Sequence, residues 1–74
     1  MVTDKNGVAI VSGQTVFVHQ EEETRKAKVV EPFPDSPTVN APGWWVDINF
    51  GDGIQGMMSY IIEVDTDEPI NSTL

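Results

Sequence analysis

Seventy-four residues without a cysteine make one small domain that no disulfide and no cysteine-based zinc site can staple. Twelve acidic against four basic residues give a formal net charge of −8, which repels phosphate backbones and anionic lipid, so neither nucleic acid nor membrane is an expected partner. No apolar run approaches the ~20 residues of a membrane span, and Met1–Asn6 lacks the layout of a signal peptide, so a cytoplasmic setting is the default expectation.

In chain order, Asp4-Lys5-Asn6-Gly7 reads as a turn, because Asn-Gly favours positive φ. Val8–Val11 is a short apolar run, an edge strand or extended lead-in, broken by Ser12-Gly13. Thr15 to Gln20 is the first firm strand, with Val16 and Val18 facing the core and Phe17 and His19 facing out or into a second contact. Glu21-Glu22-Glu23 repel one another and must be solvated at a loop tip. A second strand follows from Thr24 to Glu31, with Ala27 and Val29 on one face and Lys26, Lys28 and Val30 on the other. Arg25, Lys26 and Lys28 lie across the turn from the three glutamates, so cross-strand charge pairing is expected there.

Residues 32–43 hold four of the five prolines. Proline fixes φ and removes a backbone donor, so this stretch reads as a long stiff loop between the second and third strands. From Trp44 to Phe50 the residues alternate: Trp44, Val46, Ile48 and Phe50 on one side, Trp45, Asp47 and Asn49 on the other. That is a strand with one buried face. Gly51-Asp52-Gly53 supplies a tight hairpin turn, and a fourth strand follows. Ser59-Tyr60 reads as a short helical turn, Ile61–Val64 as the last strand, and residues 65–74 as an acidic, flexible tail. The expected fold class is all-β: a small five-stranded barrel over residues 1–64, with no helix long enough to matter.

The order of these features resembles the SH3 domains. The residues that carry the likeness are Trp44-Trp45, the Gly51-Asp52-Gly53 turn, Gly56-Met57-Met58, Ser59-Tyr60 and Ile61-Ile62. The opening, Asp4 to Ile10 and Gly13 to Val16, also resembles small bacterial and phage SH3-like proteins, with Gln14 where an Asp is usual. The resemblance implies an SH3-like barrel and an interaction role. It does not extend to the Ala-Leu-Tyr-Asp-Tyr-like segment of peptide-binding SH3 domains, and Met58 stands where their proline precedes the final turn. Plasmid-type dihydrofolate reductases are similar in length and barrel class, but their Val-Gln-Ile-Tyr stretch is absent.

Chemistry is harder to place than fold. A calcium loop needs oxygen ligands at positions 1, 3 and 5 and glycine at 6, and counting from Asp47 puts Gly51 and Asp52 there instead. The single histidine, His19, has no serine at a suggestive spacing. No glycine-rich loop precedes a helix. No cofactor, metal or catalytic residue is therefore expected. Binding remains. Trp45 sits on the polar side of its strand, where an indole costs exposed apolar area unless something covers it. The cover is Phe33 or the proline stretch, a second copy of the chain, or a ligand. The expected contact surface is Trp45, Phe33 and Tyr60, flanked by Asp35, Asp47 and Asp52. The expected function is a small acidic interaction module that binds a protein partner or itself. The alternative is a homo-oligomeric enzyme or small-ligand binder with its site on a subunit symmetry axis.

Overall fold

The computed structural model describes residues 1–37 and 43–67. Five antiparallel strands form one sheet: β1 (Thr15–His19), β2 (Thr24–Pro37), β3 (Trp44–Asn49), β4 (Ile54–Met58) and β5 (Ile62–Val64). A short 3-10 turn, Ser59–Ile61, links β4 to β5. The strand order is β4-β3-β2-β1-β5, so β4 and β5 are the two ends of the sheet and do not pair to close a ring. The all-β class stands as expected, but the expected barrel is not closed by hydrogen bonds.

The inward face follows from strand alternation. Val16 and Val18 of β1, Ala27 and Val29 of β2, Val46 and Ile48 of β3, and Ile62 and Val64 of β5 are all buried. Val2 and Ile10 close the core from the N-terminal segment, while Trp44, Phe50, Met57 and Ile61 pack around it. These side chains are mostly β-branched, which suits a pleated surface and fixes χ1 at little cost. Ile48 is fully buried at the centre of this cluster. Ile48→Ala is expected to cost about 2–5 kcal/mol, read as a lower urea midpoint. A chain of this length has only about 4–11 kcal/mol of stability in total, so the variant should lose a large share of it.

The proline-rich stretch differs from its expected form. β2 does not end at Glu31 but continues through Pro32 and Pro34 to Pro37, pairing with β3. The physical reason is one-sided pairing. β1 pairs with β2 over Thr24–Lys28, and Gly13 and Gln14 bond Val29 on the same side, so beyond Val29 one edge of β2 is free and prolines need not donate there. Register shifts between Val29 and Glu31, and between Phe33 and Pro37, absorb the irregular backbone. The remainder of the expected loop, residues 38–42, lies outside the described residues, as does the tail beyond residue 67.

The N-terminal turn has a larger role than its sequence suggests. Asp4 is buried, and its Oδ1 accepts the N–H groups of Asn6 and Val8, both at 2.8 Å. Its Oδ2 accepts the N–H of Val64 at 2.7 Å, and the adjoining Lys5 N–H donates to Ile62 O at 2.9 Å. One carboxylate thus holds the first turn together and fastens it along the free edge of β5.

Candidate functional site

The candidate site is on the outer face of β2, β3 and β4. Directly opposed residues in an antiparallel pair point to the same side. The register Phe33↔Trp45 and Trp45↔Met58 therefore lays Phe33, Trp45 and Met58 in one row across three strands. The next row is Glu31, Asp47 and Gly56. Glu31 and Asp47 stand directly opposite each other there, and like charges in that position are unfavourable in a sheet.

Trp45 is held in place. Its Nε1–H donates to Asp47 Oδ1 at 3.2 Å. Its ring leans diagonally over Gly56, so closely that a Cβ at Gly56 would fall inside the indole. Glycine lacks the side chain that would prop the ring off the sheet. The indole nevertheless remains 40% exposed, with Phe33 half-buried beside it. The result is a flat, fixed aromatic surface with one outward face and a carboxylate at its rim.

The other candidate residues do not all join it. Tyr60 lies in the 3-10 turn and lines a separate hollow of about 260 Å³ with Asp4, Lys5, Trp44 and Ser59. Ser59 is buried there, and its Oγ accepts the Trp44 N–H at 2.8 Å, tying the turn to the start of β3. Asp52 is at the tip of the β3–β4 hairpin, 3.7 Å from the Arg25 guanidinium, which also stacks 4.3 Å from the centre of the Phe50 ring. Arg25 thus turns towards the hairpin and not, as expected, to the glutamates of the β1–β2 turn. Asp35 is exposed on the proline-bearing part of β2. The structure therefore brings Trp45, Phe33 and Asp47 together, and leaves Tyr60, Asp52 and Asp35 apart at separate points.

Two contributors were missed in the sequence. Gly56 was readable in principle: a two-residue turn at Gly51-Asp52 pairs Asp47 with Gly56, which sets Gly56 diagonally beside Trp45. Met58 follows from the same register. His19 is drawn into pairing, its Nε2–H donating to Glu63 Oε1 at 2.7 Å while Nδ1 accepts from Thr24 Oγ1 at 3.2 Å. It links three strands. Among the described residues no three His, Asp or Glu side chains are grouped so as to hold a metal ion, and no helix is long and apolar enough to cross a membrane.

The fold and this face define a small all-β domain with an aromatic outer surface. No family model matches the chain, and no curated protein and no solved structure matches it either.

Proposed function

We propose that the chain is a small acidic interaction module, arranged as an SH3-like barrel left open between β4 and β5. It holds a protein partner, or a second copy of itself, on the outer face of β2, β3 and β4. The observation that carries this reading is Trp45: an indole that is positioned by Asp47 and Gly56 and still 40% exposed. A preset aromatic surface loses little side-chain freedom on binding, which is why Trp so often anchors interfaces. Phe33 widens the surface and Asp47 stands at its rim, while Asp35, Asp52 and Tyr60 lie outside this cluster. The SH3-like arrangement is supported by the 3-10 turn between the last two strands and by the strand order.

The test is a photo-crosslinking amino acid at position 33, combined with light scattering at several concentrations. The native chain should crosslink to one discrete partner, either another protein or another copy. Trp45→Ala should lose about 1–2 kcal/mol of stability, keep its circular dichroism and lose that crosslink. A single-chain mass at every concentration, with no crosslinked product, sinks the reading.

A further inference from the structure

The sheet has three stretches of strand edge, and the molecule treats them differently. The β5 edge is covered: Val64 N–H is bonded by the Asp4 carboxylate and Ile62 O by the Lys5 N–H. The free edge of β2 beyond Val29 is blunted by Pro32 and Pro34. The β4 edge has neither device. Its sequence, Ile54-Gln55-Gly56-Met57-Met58, contains no charge and no proline, and among the described residues only β3 pairs with it.

The phase of the hairpin shows which groups are open. Phe50 N–H donates to Gly53 O at 3.0 Å, so these two form a bonded pair. Bonded and non-bonded pairs alternate along an antiparallel ladder. Ile48–Gln55 and Val46–Met57 are then bonded, while Ile54 and Gly56 turn both N–H and C=O away from β3, and Met58 its N–H. The side chain of Ile54 is 60% exposed beside this row.

We infer that the β4 edge accepts an extended, positively charged peptide segment as a sixth strand. This rests on the interaction-module reading and names the kind of partner. Backbone bonds to Ile54, Gly56 and Met58 would supply the docking geometry, and alternate side chains of the added strand would fall on the outer face. There they would meet the Trp45 ring over Gly56, with Asp47 behind it and Asp52 at the end of the strand. A cationic side chain suits an exposed indole with the Asp47 carboxylate beside it, whereas Asp52 already pairs with Arg25. Charge also decides against a second copy. Each chain has a net charge of −8, so two copies repel while a basic segment is drawn in.

The test is backbone amide exchange in the full chain, followed by NMR, with Trp45 fluorescence recorded in parallel. One probe is a synthetic peptide of alternating lysine and valine; the other replaces lysine with glutamate. In the dilute free chain the Ile54, Gly56 and Met58 amides should exchange fast. Saturating lysine–valine peptide should slow them by about tenfold or more, and the glutamate peptide should not. Ile54→Pro removes an outward N–H without touching the β3 ladder, and should weaken binding by at least about tenfold. Ile54→Lys keeps the backbone, adds a like charge and should weaken binding too, so the test survives if the proline variant does not fold.

Protection of the three amides in the free chain at every dilution would overturn the inference, since the chain's own residues would then fill the edge. Protection that grows with protein concentration would overturn it in favour of a second copy. Equal protection by both peptides would refute the charge preference. A Trp45 fluorescence change without amide protection would overturn strand addition and leave the aromatic surface standing as the site. Silence in both readouts would refute the inference, and the position 33 crosslink would then decide the broader reading separately.

Discussion

Replacing Asp4 by Ala is expected to strip the chain of a large part of its stability. The carboxylate accepts three backbone N–H groups, and Val64, one of those donors, belongs to β5, sixty positions away in the chain. A hydrogen bond to a charged acceptor contributes about 1.5–3 kcal/mol, and a buried donor left without a partner costs about 1–3 kcal/mol. These do not simply add. Asn6 and Val8 are less enclosed than the Val64 bond and can take water in the variant. About 3–5 kcal/mol is the expected loss, out of a total of about 4–11 kcal/mol. Asp4→Asn should be milder but not neutral. Its amide retains one acceptor oxygen and turns an NH2 group towards the remaining donors, a loss of about 2 kcal/mol. Urea unfolding of the three proteins checks the order: native above Asn above Ala. Equal midpoints for the native chain and Asp4→Ala would mean that the first turn contributes nothing to closing the sheet at β5.

The Asp4 case shows what could and could not be read in advance. The turn itself was legible, since Asp-Lys-Asn-Gly has local chemistry that works within four residues. The bond to Val64 was not, because nothing local to either residue specifies a contact over that separation. The alternating strands behaved as the turn did. Val16, Val18, Ala27, Val29, Val46 and Ile48 are buried where period-two alternation puts them, because a one-residue slip would expose every one of them.

The proline stretch failed for an instructive reason. Proline argues against a central strand, and Pro32–Pro37 is strand only where β1 has already left the side of β2. Which strand has a free side is a property of the sheet, not of the residue. The candidate site divides along the same line. Trp45 and Asp47 are neighbours within one strand, and Phe33 comes opposite through strand pairing that the loop expectation had ruled out. Tyr60 was added by analogy of residue type. The 3-10 turn points it to a different hollow.

The sheet treats its edges unequally. An open sheet leaves backbone groups unpaired along its edges, and each is a route to unwanted association. Covering β5 and lining the free part of β2 with proline remove two such routes. Among the described residues β4 keeps its outward groups free beside Trp45, and glycine is the residue that links the two features: Gly56 lets the indole lie flat and also exposes backbone at the edge.

That link makes a double-mutant cycle on Trp45 and Gly56 the most discriminating stability experiment. In the native chain Gly56→Val forces a branched side chain into the space of the indole. Overpacking of this kind costs about 1–3 kcal/mol, and the displaced ring should show a red-shifted emission. In the Trp45→Ala background the same change should reverse sign. Gly56 has no need of a positive φ, so valine fits its backbone, and glycine in a strand is a liability of about 0.5–1 kcal/mol. Gly56→Val should then stabilise the tryptophan-free chain by about that amount. The coupling energy is therefore expected near 2–3 kcal/mol, large for two residues of which one has no side chain. It would measure how firmly the sheet holds the ring before any partner arrives. Four urea curves suffice. If Gly56→Val changes stability equally in both backgrounds, the indole does not rest on Gly56, and the fixed aromatic surface is lost as the basis of the site. If the sign reverses, Gly56 is the residue that lets the indole lie flat on the sheet.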